Sequence, residues 1–74
     1  MAKFEELKVS YHIPEMLQHD IDGLREAVES GSATIDCWQD EIRGSAHGCT
    51  DGEGGLTEEQ AEEIISYYCR RRWN

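Results

Sequence analysis

The amino-acid sequence predicts an all-α fold, a three-helix bundle with helices at about residues 14–30, 33–46 and 57–72. Three observations favour it: apolar residues recur at helical spacing, residues typical of helix ends bound these segments, and the chain has only one proline. A chain of 74 residues has room for a single small domain, residues 1–74, with a thin core. Packing three amphipathic helices together is the economical way to stabilise each of them.

The first predicted helix begins at Pro14, which suits the first helical turn because its missing N–H would have no partner there. One apolar stripe follows at helical spacing: Leu17, Ile21, Leu24 and Val28. Gly31 is a natural stop, and Gly23, which is unfavourable inside a helix, marks a close helix contact. Residues 3–10 are short and uncapped, so a single helical turn and an extended arm both remain open.

The second segment fits two periodicities. Ala33, Ile35 and Cys37 fall on alternate positions, as in a short strand. The longer match has helical spacing and comprises Ile35, Trp38, Ile42 and Ala46. We therefore predict a helix here, with Trp38 in the core.

The third predicted helix has the clearest start. Thr57 and Gln60 fit a capping box, in which the side chain of each residue accepts a hydrogen bond from the backbone N–H of the other. Acidic residues fall in the first turn and Arg70–Arg72 in the last, so both charges match the helix dipole. The stripe that we expect to be buried consists of Ala61, Ile64, Ile65 and Tyr68.

The chain is strongly acidic, with a formal net charge of −9. Residues 1–69 hold sixteen acidic and four basic residues, and three arginines follow them. Such a surface disfavours direct binding of nucleic acid, which requires a basic face. It is compatible with a basic protein partner or with an inhibitor that mimics nucleic acid, but the interpretation that we favour for the charge itself is solubility.

Composition also bears on the compartment. No apolar run approaches the ~20 residues that span a bilayer, and the first residues lack a hydrophobic stretch of signal-peptide length. Three cysteines, an odd number, argue against a closed disulfide framework and fit a reducing compartment. We therefore expect a cytoplasmic protein without membrane association.

Residues 49–60 resemble the calcium-binding loop of an EF-hand. The matching positions are Asp51, Glu53, Gly54, Leu56 and Thr57. Two essential ligands depart from the pattern, because Cys49 stands at the first position and Gln60 replaces the bidentate glutamate. The resemblance implies weak calcium binding at most, and we favour a glycine-rich turn before a capped helix.

A zinc ligand set is also conceivable from three thiols and one imidazole, those of Cys37, His47, Cys49 and Cys69. No Cys-x-x-Cys pair occurs, and free cysteines are often small core hydrophobes, so we predict neither a metal nor a cofactor. His47 and Cys49 are the nearest base and nucleophile in sequence, but nothing marks an oxyanion hole or a substrate cleft. We therefore expect a non-enzymatic protein.

The end of the chain offers candidate partner contacts: Tyr67, Arg70, Arg71 and Trp73. Tyr67 and Tyr68 are adjacent and point about 100° apart on a helix, so only one of them can be fully buried. Since Tyr68 lies on the apolar stripe, we expect Tyr67 to be exposed and Trp73 to be an aromatic anchor beside cations. Dipole complementation and fraying of the chain end are the alternative interpretation.

Four short segments carry a resemblance to other proteins: 22–25 (Asp-Gly-Leu-Arg), 35–37 (Ile-Asp-Cys), 40–42 (Asp-Glu-Ile) and 56–61 (Leu-Thr-Glu-Glu-Gln-Ala). They make residues 21–72 similar to small uncharacterised helical proteins of Gram-positive gut bacteria and their mobile elements. The resemblance implies no activity and no site residues. The function that we predict is a non-enzymatic protein–protein interaction or accessory module. A metal-stabilised structural domain and an acidic inhibitor mimicking nucleic acid are the alternatives.

Overall fold

In the part of the chain that the structure describes, three helices follow one another: α1 is Glu15–Ser30, α2 is Ile35–Gly48 and α3 is Glu58–Cys69. The computed structural model describes residues 4–52 and 54–73. Within that part of the chain there is no strand, so the predicted fold class is confirmed and the strand alternative for the second segment is wrong. The observed bounds of α1 and α2 lie within two residues of the predicted ones.

The central element is α2, which packs against both other helices. Among the described residues, no Cα atom of α1 comes within 8 Å of one in α3. The buried side chains form one hydrophobic cluster, to which all three helices contribute. Its largest fully buried side chains are Leu17, Ile21, Leu24, Ile42, Ile64 and Tyr68, so the predicted stripes of α1 and α3 face inward.

Residues 4–13 precede α1 and have no helical structure. Of the two alternatives left open for the start of the chain, the arm is therefore the one observed. The arm bridges the two helices that do not meet: Glu6 pairs with Arg25 of α1, and the Leu7 N–H donates to the Tyr68 hydroxyl of α3. Four partly buried side chains pack on the core, those of Phe4, Leu7, Tyr11 and Ile13. The arm thus takes the place that a fourth helix would fill. Lys3, the first residue of the predicted segment, lies outside the described residues.

The predicted capping box at the start of α3 is confirmed. The Gln60 N–H donates to the Thr57 hydroxyl at 3.1 Å, and the Thr57 N–H donates to the Gln60 side-chain oxygen at 3.0 Å. Gly31 ends α1 with a φ of +70°, as expected for a left-handed stop. These local signals set the helix ends independently of the packing.

The end of α3 differs from the prediction. The helix stops at Cys69, so Arg70–Arg72 lie beyond it and no basic residue occupies its last turn. The chain turns back instead, Trp73 is buried, and its indole N–H donates to the Tyr68 carbonyl at 3.0 Å. Burying a large aromatic side chain contributes roughly 2–3 kcal/mol, whereas charges near a helix end contribute about 0.3–1 kcal/mol. Burial of the indole therefore outweighs continuation of the helix.

We expect alkaline pH to destabilise the protein through Tyr68. Burial raises the pKa of the Tyr68 hydroxyl from 10.0 to about 12. Because the folded state holds this proton more tightly, the stabilisation is complete below pH 10 and is lost as pH rises towards 12. Urea unfolding followed by circular dichroism across this range should show the free energy of unfolding falling by up to about 3 kcal/mol.

The Tyr68→Phe variant is the control, because it keeps the ring and removes the titrating group. Burial also raises the pKa values of Cys49 and Cys69, which act in the same direction in both proteins. The variant should therefore lose less stability than the natural chain over the same range. Parallel pH profiles for the two proteins would contradict the assignment to Tyr68.

Candidate functional site

The indole of Trp38 lies at the seam between α1 and α2, directly over Gly23. A Cβ atom added at Gly23 would lie 2.5 Å from Cζ3 of Trp38, so the close helix contact predicted at this glycine is confirmed. The His19 ring stands edge-on to the indole, with ring centroids 6.3 Å apart. Trp38 itself is only partly buried, so its predicted place in the core is wrong. Gly23 brings the helices together, and the large ring is left at the edge of their interface.

Two open clefts lie beside the indole. The larger, about 560 Å³, is bordered by Gly23, Glu26, Ala27, Glu29, Ser30, Ser32, Thr34 and Trp38. The other, about 480 Å³, is bordered by His19, Asp20, Thr34, Cys37, Trp38 and Glu41. We call the group of Gly23, Glu26, Glu29, Trp38 and Glu41 the Trp38 surface.

The Trp38 surface carries negative charge. Its three glutamates are all exposed, and within the described ranges none of them forms an ion pair. No lysine or arginine borders either cleft in that part of the chain. An aromatic face beside free carboxylates attracts cations, both through the ring quadrupole and through direct charge.

A buried hydrogen bond supports this surface from below. Asp20 of α1 is buried, and the Ser45 hydroxyl of α2 donates to its carboxylate. Buried carboxylates need such partners, because an unpaired one carries a large desolvation cost. Asp20 therefore ties α1 to α2, and the exposed glutamates remain the groups that can meet a ligand.

The four candidate metal ligands are not grouped around one point in the structure. Cys37 and His47 are exposed, Cys49 is buried, and the Cys69 thiol donates to the Gln39 carbonyl at 3.0 Å. Among the described residues no three His, Cys, Asp or Glu side chains are grouped so as to hold a metal ion. Burial raises the pKa of the Cys49 and Cys69 thiols, which disfavours the thiolate needed by a zinc ligand or a nucleophile.

In the loop that resembles an EF-hand, several of the matching residues are engaged in structural contacts within the chain. The side-chain acceptors of Thr57 and Gln60 are occupied by the capping box. The backbone of Gly54 lies so close to the Cys49 carbonyl that a Cβ atom would clash with it. This close approach accounts for the glycine without a bound ion. Glu53, the fifth-position residue, lies outside the described residues.

The predicted partner contacts at the chain end are largely engaged within the molecule. Trp73 is 4% exposed, so its ring packs in the core of the molecule and is not open to a partner in this structure. The Tyr67 hydroxyl donates to the Glu5 carbonyl at 2.9 Å, and the Arg71 guanidinium lies 4.7 Å from the Trp73 ring centroid. Arg70 is exposed, and its guanidinium lies 3.6 Å from the Glu62 carboxylate. The Tyr67 side chain contacts the N-terminal arm. Helical periodicity describes positions within one helix, so it could not predict such a contact.

We expect Gly23→Ala and Gly44→Ala to have different effects, although both replace a glycine inside a helix. Alanine favours a helix by up to about 1 kcal/mol over glycine. A Cβ at Gly44 meets open space, so that variant should gain most of this amount. At Gly23 the Cβ displaces the indole, so the gain should be offset by lost packing.

Urea unfolding and the indole N–H signals of the two tryptophans in NMR spectra measure this difference. Gly23→Ala should move the Trp38 signal and leave that of Trp73 unchanged, and Gly44→Ala should move neither. Equal stabilisation by both variants with an unmoved Trp38 signal would show that the close approach is wrong.

Comparison with known proteins identified no relative of this chain. No protein-family model, curated protein or solved structure matches the chain. No helix within the described ranges is both long and apolar enough to cross a membrane.

Proposed function

We propose that this protein is a non-enzymatic interaction module that binds a basic segment of a partner protein at the Trp38 surface. The observation that carries the proposal is the partly exposed indole of Trp38, flanked by clefts whose exposed glutamates have no ion-pair partner among the described residues. The proposal includes an accessory role in the cytoplasm, a compartment that the odd number of cysteines fits.

An arginine or lysine side chain has complementary chemistry to this surface. A cation over an indole contributes about 0.5–1 kcal/mol at an exposed site and about 2 kcal/mol or more when it is desolvated. Glu26 and Glu29 border one cleft and Glu41 the other, so a cation in either cleft would meet a carboxylate. The net charge of −9 would speed the approach of a basic partner, and salt would weaken this attraction.

The same clefts offer little to an enzyme. Cys37 and His19 border one of them, but no hydrogen bond joins the two side chains in the part of the chain that the structure describes. A nucleophile requires an adjacent, oriented base. Asp20, the nearby carboxylate, already accepts from Ser45. These features support binding over catalysis.

Affinity capture from the native host, at low and at moderate salt, tests the proposal. The natural chain should recover a specific basic partner, and Trp38→Ala should reduce its recovery about tenfold, equivalent to about 1.4 kcal/mol. The double variant Glu26→Gln, Glu41→Gln should weaken recovery mainly at low salt, because its contribution is electrostatic.

The matched control is the double variant Glu59→Gln, Glu62→Gln, which removes the same charge from exposed positions of α3. It should recover the partner nearly as well as the natural chain. Equal losses from both double variants would indicate a general charge effect. Recovery of no specific partner at either salt concentration would argue against an interaction module.

A further inference from the structure

The N-terminal arm lies between α1 and α3 as a bound peptide lies in a groove. Among the described residues, no backbone–backbone hydrogen bond joins residues 4–13 to a helix. The arm is held by side chains of the helices and of the chain end. We call the group of Arg25, Tyr67, Tyr68, Arg71 and Trp73 the arm groove.

Two tyrosine hydroxyls of the arm groove bind the backbone of the arm. The Tyr68 hydroxyl accepts from the Leu7 N–H at 2.9 Å, and the Tyr67 hydroxyl donates to the Glu5 carbonyl at 2.9 Å. These contacts engage one donor and one acceptor, two residues apart, on non-helical backbone. Any segment of that conformation offers the same groups, so this part of the recognition does not depend on its side chains.

The arm groove also has an aromatic pocket for the first position of the segment. Phe4 stacks on Trp73 with centroids 5.0 Å apart and on Tyr68 with centroids 6.0 Å apart. The Arg25 guanidinium lies 5.7 Å from the centroid of the Phe4 ring. Stacked rings and a nearby cation favour an aromatic residue at this position.

The next two positions meet positive charge. Glu6 lies 2.6 Å from the Arg25 guanidinium, and Glu5 lies 3.8 Å from that of Arg71. The natural chain has only seven basic residues, and two of them face consecutive acidic residues of the arm. Leu7 then packs against the core. The arm groove therefore fits the order aromatic, acidic, acidic, aliphatic.

We propose that the arm groove is a binding site for an extended segment of a partner protein with that order of side chains, and that this segment displaces the chain's own arm. The chain's own arm fills the arm groove in the structure. Its side chains therefore indicate which residue types the groove accepts.

The part that is displaced is residues 4–7, whose ion pairs are solvent-exposed and whose Phe4 and Leu7 are only partly buried. Tyr11 and Ile13, which also pack on the core, anchor the rest of the arm, and the Tyr11 hydroxyl donates to Glu63 at 2.7 Å. Within the described ranges no arm residue borders the clefts of the Trp38 surface, so this is a second surface with the opposite charge preference.

A synthetic peptide with the sequence of residues 2–12, carrying a fluorescent label, tests the proposal in trans. The receptor is the full chain with Phe4→Ala and Leu7→Ala, which releases the arm. A tethered arm competes at an effective concentration of about millimolar, so the peptide should bind this variant at least tenfold more tightly than the natural chain. Fluorescence anisotropy measures the affinity, and NMR should show the indole N–H signal of Trp73 moving and that of Trp38 unchanged.

Charge reversal provides a second test that keeps the natural arm. In the full chain with Arg25→Glu, a peptide carrying Glu6→Arg should bind several-fold more tightly than the natural peptide, and the order should reverse in the natural chain. A natural peptide altered only by Phe4→Ala should bind at least tenfold more weakly to the arm-released variant. Circular dichroism establishes that each receptor is folded before titration.

Three results would overturn the proposal. The first is no saturable binding of any peptide to folded receptors, and the second is binding that ignores Phe4→Ala or moves the Trp38 signal instead. The third is a natural chain that light scattering finds as a dimer and that the peptide converts to monomers, because the occupant of the arm groove would then be a second copy.

Discussion

The stacking of Phe4 on Trp73 closes the side of the molecule where α1 and α3 do not meet. Tyr68 is 1% exposed because these two rings cover it, and its hydroxyl in turn holds the arm through Leu7. The same tryptophan caps α3 by donating to the Tyr68 carbonyl. The end of α3, the position of the arm and the shape of the arm groove thus all depend on one aromatic cluster built from both ends of the chain.

The structural features that depend on interactions between residues close in sequence were predictable from local sequence patterns. The capping box of Thr57 and Gln60 needs only four consecutive residues, and the stripes of α1 and α3 need only helical period, so both were predictable. The burial of the two tryptophan side chains was not predictable from these patterns. Trp38 lies on a helical stripe yet sits at the edge of an interface, and Trp73 lies beyond α3 yet is buried. Both outcomes depend on which elements become neighbours in space.

The candidate sites also combine features that the sequence indicated with features that depend on contacts between distant residues. Gly23 signalled a close approach of helices, but periodicity could not show that Trp38 would cover it with free glutamates alongside. Tyr67 and Arg71 were predicted as contacts, and the structure gives them a contact within the chain itself. An acidic chain can therefore present two surfaces of different character, because two of its five arginines, Arg25 and Arg71, face the arm.

The contact between Leu7 and Tyr68 joins residues 61 positions apart, whereas each helix pair is joined by a short loop. Closing so long a segment carries a larger entropic cost than forming the neighbouring helix contacts. The three helices should therefore assemble first, and the arm should dock onto them in the last step of folding. The reverse order holds for local unfolding, so the amide hydrogen of Leu7 should exchange with solvent faster than those of the central turns of α2.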